Sequence, residues 1–421
     1  MSSAAVKSVI TCDLEGRIET YNEGAEQLFG WQAPEVIGKK RVSLFSPGPV
    51  VLEHVPRWLT TSVAEGKFET DTVFVRKDGS EFPAHVRISP TFKGGAQIGY
   101  CGVTERLPDD QLERARPNIS FLTKVFIGLV VTRAPFLTAT LVPVLLGAAL
   151  AAQAGAFHGG LFSLALVGAL ALHVAANTWN DLFDWRSGTD QANNDYFLPF
   201  SGGSRSIELG LISERGLAIV AWTSALIAIA CGAALAFFGT PWVLAVGAAG
   251  GLLGFCYTAP PLRLAARRGL GELAVALAFG PLLVLGVVTA ITGAPSLLPA
   301  LAGVPLGLLT ANILLINEIP DAKSDAVTGK NHLVVTFGAR GARMLYLVIL
   351  LGAVASHVAL ALAGLVPTLS LVALVSLPLG ARALWMLAKH LDDRALVAGN
   401  KATINLQLAY GVLLTLGVWL G

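Results

Sequence analysis

Four carboxylates, Asp181, Asp184, Asp190 and Asp195, fall within fifteen residues, with Asn177 and Asn180 just ahead of them. Their stretch, NTWNDLFDWRSGTDQANND, closes a long apolar run at 161–176 that reads as a membrane helix. Ionised groups in such a place are costly unless something compensates them. On a helix His173, Asn177, Asn180, Asp181 and Asp184 recur at three- and four-residue steps and share one face. Acidic groups that close repel one another, and a divalent cation would offset the repulsion. Oxygen donors with no nearby Cys favour magnesium over zinc. The alternative is an acidic loop in solvent.

A second stretch, NEIPDAKSDAVTGK, ends another apolar run at 296–316. Asn317, Asp321 and Asp325 are spaced i, i+4, i+8, which on a helix makes a stripe with about 6 Å per step. Pro320 is expected to bend that helix or restart it. Of the twelve acidic residues after position 120, seven lie in these two windows. Two such clusters, at helix ends on one side of a membrane, can hold two metal ions against one diphosphate.

The elements that must carry these groups follow from composition. The chain has 421 residues, 54% hydrophobic and 14% charged. Residues 1–107 hold 12 Lys/Arg and 13 Asp/Glu and read as a soluble domain; 121–421 hold 16 and 12 in nearly three times the length and read as a membrane domain. Between them, 108–120 reads as a short helical linker. The formal charge of +2 and the lack of a basic, aromatic-interleaved patch argue against nucleic acid as a partner. Cys12, Cys101, Cys231 and Cys256 have no metal-ligand spacing and read as free thiols or buried small residues. No charged-then-apolar leader pattern opens the sequence.

Nine apolar spans are expected, near 125–152, 158–183, 214–238, 240–257, 270–292, 296–318, 342–364, 367–389 and 401–420. Thirteen basic residues lie in the loops after the second, fourth, sixth and eighth spans, and none in the loops after the odd ones. That asymmetry predicts a multi-pass protein of the cell membrane, with residues 1–107 and both acidic stretches in the cytoplasm. Gly247, Gly250, Gly251, Gly254, Gly303 and Gly307 would permit close helix packing. Arg133 and Glu272 stand out as ionisable groups within apolar sequence. Arg133 is either an interfacial side chain that snorkels or a fixed fork of donors for phosphate oxygens.

Residues 6–107 alternate strand and turn signals around a helical stretch at 23–29, predicting an antiparallel sheet with helices inserted in the middle. The segments ITCDLEGRIETYNEGAEQLFGWQAPEVIGK, FVRKDGSEFPAHVRISP and IGYCGVTE resemble a PAS domain over nearly its whole length. Cys12 and Cys101 fall in expected strands, away from the helix in which a flavin-adduct photosensor carries its reactive Cys. His54 could ligate haem, but a lone His is more often structural. The PAS cofactor is left open; a small ligand, a protein contact or a PAS-mediated dimer all fit.

Residues NDLFDWRSGTD, YTAPPLRLAARRGLGEL and NEIPDAKSDAVTGKNHLVVTFG resemble the UbiA superfamily of intramembrane prenyltransferases, over about 120–421. Within it the 1,4-dihydroxy-2-naphthoate polyprenyltransferases match best, through Asp190, the SGGSR segment at 201–205 and the NEIPD run. The fold expected is therefore multi-domain: an α+β PAS domain, then an all-α bundle of nine transmembrane helices.

The resemblance implies Mg2+, or alternatively Mn2+, held by Asn180, Asp181, Asp184, Asn317, Asp321 and Asp325. It implies a polyprenyl diphosphate met by Arg133, Asn177, Arg205, Lys323 and Lys330. Ionisation would depend on Asp184 and Asp321, and Tyr257 would face the diphosphate or the allylic cation. An aromatic acceptor, 1,4-dihydroxy-2-naphthoate, would then attack and lose its ring carboxylate. His173 reads as a ring-binding, basic or purely structural group. The lipid bilayer would receive the isoprenoid tail through a lateral opening. Other acceptors (4-hydroxybenzoate, homogentisate, a chlorin, a glycerol-phosphate lipid) and a non-catalytic lipid or quinone sensor are the alternatives.

Overall fold

Burial alternates along the first strand, Lys7–Asp13 (β1), where Ser8, Ile10 and Cys12 are turned inward. That period of two is what a sheet with one covered face requires. The structure, a computed structural model, describes residues 6–192, 203–391 and 393–421; Asp195, Ser201 and Gly202 lie outside them. The chain folds as two compact units, one of Met1–Val131 with Ser206–Ser213, the other of Thr132–Arg205 with Glu214–Gly421.

In the first unit β2 (Ile18–Tyr21), β3 (Phe68–Val75), β4 (Glu81–Lys93) and β5 (Ala96–Arg106) join β1 in the order β2-β1-β5-β4-β3, all neighbours antiparallel. Between β1 and β2 the Asp13 carboxylate accepts the amides of Glu15 and Arg17 at 2.9 and 2.8 Å, which closes the turn. Helix α1 (Glu23–Phe29) is capped by Asn22, whose Oδ1 accepts from Ala25 N and from Val9 N, each at 2.9 Å. One side chain thus starts the helix and ties it to β1. Helix α2 (Val55–Glu65) follows, and Ile18, Phe29, Phe45 and Phe82 centre the core. His54 bonds the backbone carbonyl of Asn118 at 3.1 Å.

A helix at Phe121–Val131 (α3) ends inside the expected first span, 125–152, which is therefore broken. Arg133 has left-handed backbone, φ 52°, and a short helical turn restarts at Ala134 with Pro135 in its first turn. There the missing proline amide costs nothing.

Then come α4 (Thr138–Gln153), α5 (Gly159–Ser187), α6 (Glu214–Phe238), α7 (Trp242–Cys256), α8 (Leu270–Thr292), α9 (Leu297–Val327), α10 (Leu333–Leu362), α11 (Thr368–Lys389) and α12 (Val397–Leu420). Among the described residues eight helices are long and apolar enough to cross a membrane, not nine. The fourth expected span is α7, whose 15 residues reach about 22 Å, short of a hydrocarbon core of about 30 Å.

Two further boundaries move. Helix α9 continues unbroken through Pro320 to Val327, and α10 begins at Leu333 with a kink at Gly338. Helices α4, α9, α10 and α12 share the largest core, around Leu146, Leu306, Tyr346, Leu406 and Tyr410. Helix α8 crosses α9 where Gly280 faces Gly303 and Gly307; a Cβ on any of the three would overlap the opposite backbone. Pro281 sits in a π turn at that crossing, Ala278–Leu282, which absorbs its missing N–H. Gly247, by contrast, has nothing within 4 Å of where its Cβ would be.

Candidate active site

The helical period of α5 brings His173, Asn177, Asn180, Asp181 and Asp184 to one face, and Asp181 and Asp184 are buried at 4% and 9% exposure. The break before α4 supplies the first counter-charge. Arg133, in its left-handed conformation, turns its guanidinium onto Asp181 as an ion pair. Asn177 Nδ2 donates to the Thr132 carbonyl at 3.4 Å, fixing the same break to α5. Arg205, also left-handed at φ 53°, is buried and donates to the Asp190 carbonyl. Beside it the Ser204 amide donates to Asp181 Oδ1 at 3.3 Å. Left-handed backbone at a residue with a side chain costs about 1–3 kcal/mol and persists where surroundings over-determine it. Here two arginines with that backbone meet the acidic stretch, Arg133 at Asp181 and Arg205 at the Asp190 carbonyl.

The stripe on α9 is continuous. Asp325 is buried and lies 3.1 Å from His332 Nε2; Asn317 Oδ1 accepts from Asn400 Nδ2 at 2.6 Å. Lys330, in the loop after α9, reaches across to Asp184 Oδ2 at 3.2 Å and stands 4.0 Å from Asp325 Oδ2. The loop therefore joins the two acidic helices. Tyr257, at the end of α7, has Glu318, Lys330, Glu272 and Asp184 as electrostatic neighbours. Lys323 does not join them. Two residues from Asp321, it points about 200° around the helix and is exposed. His173 accepts or donates at 2.7 Å with Thr140 Oγ1 and packs edge-on against Phe279, which satisfies it inside the bundle.

His332 and Asn400 were not singled out from the sequence. His332 lies two residues beyond Lys330 at a helix start, the one local signal; Asn400 is 83 residues from its partner and gave none. Glu272 stands out in the sequence as an ionisable group amid apolar residues, without a role there, and Glu318 is one of the acids of the second window.

The residues fit a divalent cation. Asp181 Oδ2 is buried with no hydrogen-bond partner among the described residues. Burial first, then the neighbouring Asp184 and Asp181 carboxylates, push the Asp190 carboxyl up to about 8. The donor set on both faces is oxygen, the chemistry of magnesium rather than of a thiolate metal.

Within the first unit, a cavity of about 240 Å³ opens between sheet and helices, lined by Cys12, Phe29, Phe45, Trp58, Phe74 and Tyr100 among others. Burial pushes the Cys12 thiol up to about 11, away from the thiolate a reactive cysteine needs.

The model of the UbiA prenyltransferase family matches residues 140–413, and that of the PAS domain matches 6–105. The chain belongs to the UbiA prenyltransferase family. It is a UbiA-type prenyltransferase and multi-pass membrane protein with an N-terminal PAS domain. Among its relatives is the 1,4-dihydroxy-2-naphthoate octaprenyltransferase of Escherichia coli (strain K12), 32% identical over 288 residues, covering 66% of this chain and 90% of that protein. The protein of the same name from Bacillus subtilis (strain 168) is 27% identical over 287 residues, 68% and 90% of the two chains. The apo structure of a UbiA homologue from Aeropyrum pernix K1 shares the fold, with a TM-score of 0.53 at 21% identity, over 67% of this chain and 97% of that one.

Proposed function

We propose that this UbiA-family enzyme moves a polyprenyl group from its diphosphate to 1,4-dihydroxy-2-naphthoate, with the diphosphate held between the acidic faces of α5 and α9. The observation that carries this is the meeting of the two faces through Lys330, with Asp184 and Asp325 as its neighbours. The naphthoate acceptor is supported by the names of relatives that the chain covers over nine-tenths of their length.

Asn180, Asp181 and Asp184 on one side, and Asn317, Asp321 and Asp325 on the other, would hold Mg2+, or Mn2+ in its place. Bound there, the metal supplies charge neutralisation of the diphosphate leaving group. Arg133, Arg205 and Lys330 provide fixed donors for the remaining phosphate oxygens, and Asn177 holds the Arg133 turn in place. Lys323, exposed, is left out of this role. The allylic C–O bond breaks with its electron pair leaving on the diphosphate, and a ring carbon of the acceptor bonds to the allylic carbon. The carboxylate on that ring carbon leaves as carbon dioxide, which restores the aromatic ring. Tyr257 faces the developing allylic charge. The apolar walls of the bundle keep water from capturing it.

Both acidic faces and the PAS domain are assigned to the cytoplasmic side of the cell membrane, from the distribution of basic loops. The PAS domain is assigned a regulatory role, its apolar cavity taking a small molecule. Expression in a bacterium that lacks its own naphthoate prenyltransferase, followed by mass spectrometry of extracted lipids, tests the acceptor. Restored demethylmenaquinone supports the reading; accumulation of a differently prenylated aromatic overturns it.

A further inference from the structure

Beside the diphosphate site, a second group of side chains converges. Glu272 in the first turn of α8, Glu318 on α9 and His332 at the N-cap of α10 each bring one ligand-type atom within 4.8 Å of the others. All are buried, at 4%, 7% and 0% exposure. His332 Nε2 lies 3.1 Å from Asp325 Oδ2, within hydrogen-bond distance of the carboxylate. Nδ1 presents its one lone pair to the Val335 amide at 3.4 Å, a long contact that a cation bound at Nδ1 would replace. Facing that lone pair at 3.5 Å is Glu318 Oε2, another acceptor. Glu318 Oε2 and Glu272 Oε2 have no hydrogen-bond partner among the described residues. Glu272 Oε1 is engaged by the Leu333 amide at 2.8 Å, which orients the carboxylate and leaves Oε2 free. Two carboxylate oxygens without a hydrogen-bond partner among the described residues thus meet beside an imidazole nitrogen in the interior.

We propose that Glu272, Glu318 and His332 bind a first-row transition-metal dication, of the Zn2+ or Mn2+ class, distinct from the ions of the diphosphate site. Two carboxylates and one imidazole suit such an ion better than the all-oxygen shell of magnesium. Tetrahedral bonds of about 2.0–2.1 Å place neighbouring donors about 3.3 Å apart, close to the 3.5 Å between His332 Nδ1 and Glu318 Oε2. A metal-bound histidine normally gives its other N–H to a carboxylate, and here that carboxylate is Asp325. The ion therefore fastens α8, α9 and α10 together and, through the imidazole, sets the orientation of Asp325. Only this last consequence rests on the diphosphate reading; the cation site does not.

The test uses full-length protein in detergent, stripped with chelator and desalted. It is loaded with ZnCl2 or MnCl2 in the presence of millimolar MgCl2, passed through gel filtration and assayed for metal by mass spectrometry. The expected result is about one Zn or Mn retained per chain. Glu272→Gln and Glu318→Gln should each lower retention at least about tenfold, while Asp321→Ala, on the diphosphate stripe, keeps it. If the glutamine variants do not elute as folded protein, X-ray absorption of the wild-type ion decides, with one imidazole nitrogen among oxygen ligands expected. No retained ion, an ion lost from Asp321→Ala but kept by Glu272→Gln, or a spectrum without imidazole overturns the site. A wild type that holds the ion yet transfers no prenyl group would count against the diphosphate reading alone.

Discussion

Lys330 Nζ stands 3.2 Å from Asp184 Oδ2, so an ammonium in the loop between α9 and α10 closes on a carboxylate of α5, 146 residues earlier. Both side chains are largely buried, at 16% and 13% exposure. Removing one partner of such a pair leaves an uncompensated charge inside, which is strongly destabilising. Lys330→Met should lower kcat/KM for the polyprenyl diphosphate about 10- to 100-fold and lower the melting temperature in metal-free buffer. Mg2+ should restore part of the melting temperature, because it takes over neutralisation of Asp184 and Asp325. Melting curves with and without Mg2+, beside steady-state kinetics, check both effects; an unchanged kcat/KM and Tm would remove Lys330 from the site.

Gly203 has φ +75°, and a Cβ there would sit 2.9 Å from Arg133 Nη2 and 3.0 Å from Asp181 Oδ1. Gly203→Ala should strain the backbone by about 1–3 kcal/mol and push the Arg133–Asp181 pair apart. The expected outcome is a clear fall in turnover with the bundle still folded, read by activity and gel filtration. Wild-type turnover in Gly203→Ala would show that this segment does not pack on the pair during catalysis.

What could be read in the sequence was whatever repeats locally. The steps from Asn177 to Asp184 and from Asn317 to Asp325 give their faces directly, because helical period is a property of neighbouring residues. The same locality explains the PAS sheet, whose turns at Asp13 and Asp78 announce themselves by the side chain that closes them. Arg133 was visible as a charge in apolar sequence, but its broken helix and left-handed turn were not; Pro135 was the missed signal. The length of α7 and the unbroken course of α9 through Pro320 depend on packing between distant segments. So does the meeting of Glu272 with His332, which no spacing announces.

Chelation offers a separate check. Prenyl transfer by the purified protein should stop in excess EDTA and return with Mg2+ or Mn2+, since both acidic faces offer oxygen donors to a hard cation. Full turnover in EDTA would mean that Arg133, Arg205 and Lys330 alone carry the leaving group.

Deleting residues 1–107 should leave a protein that still transfers the prenyl group in detergent or liposomes. Every residue assigned to chemistry lies in the second unit or beyond Val131, and that unit has its own core. The truncated enzyme should lose a response to small apolar ligands that the full chain shows, read by titrating candidate ligands into both. A truncated protein that is folded but inert would make the PAS domain part of the catalytic unit.

The central claim is that one diphosphate is gripped by acidic groups from two helices at once. Its most direct test is the rate at which purified wild-type, Asp184→Ala and Asp321→Ala proteins convert polyprenyl diphosphate and 1,4-dihydroxy-2-naphthoate, in Mg2+, to prenylated product. Each variant removes one carboxylate from a different face. Both should fall at least about a hundredfold while eluting as folded protein. Near-wild-type turnover by either one would contradict a site built from both faces.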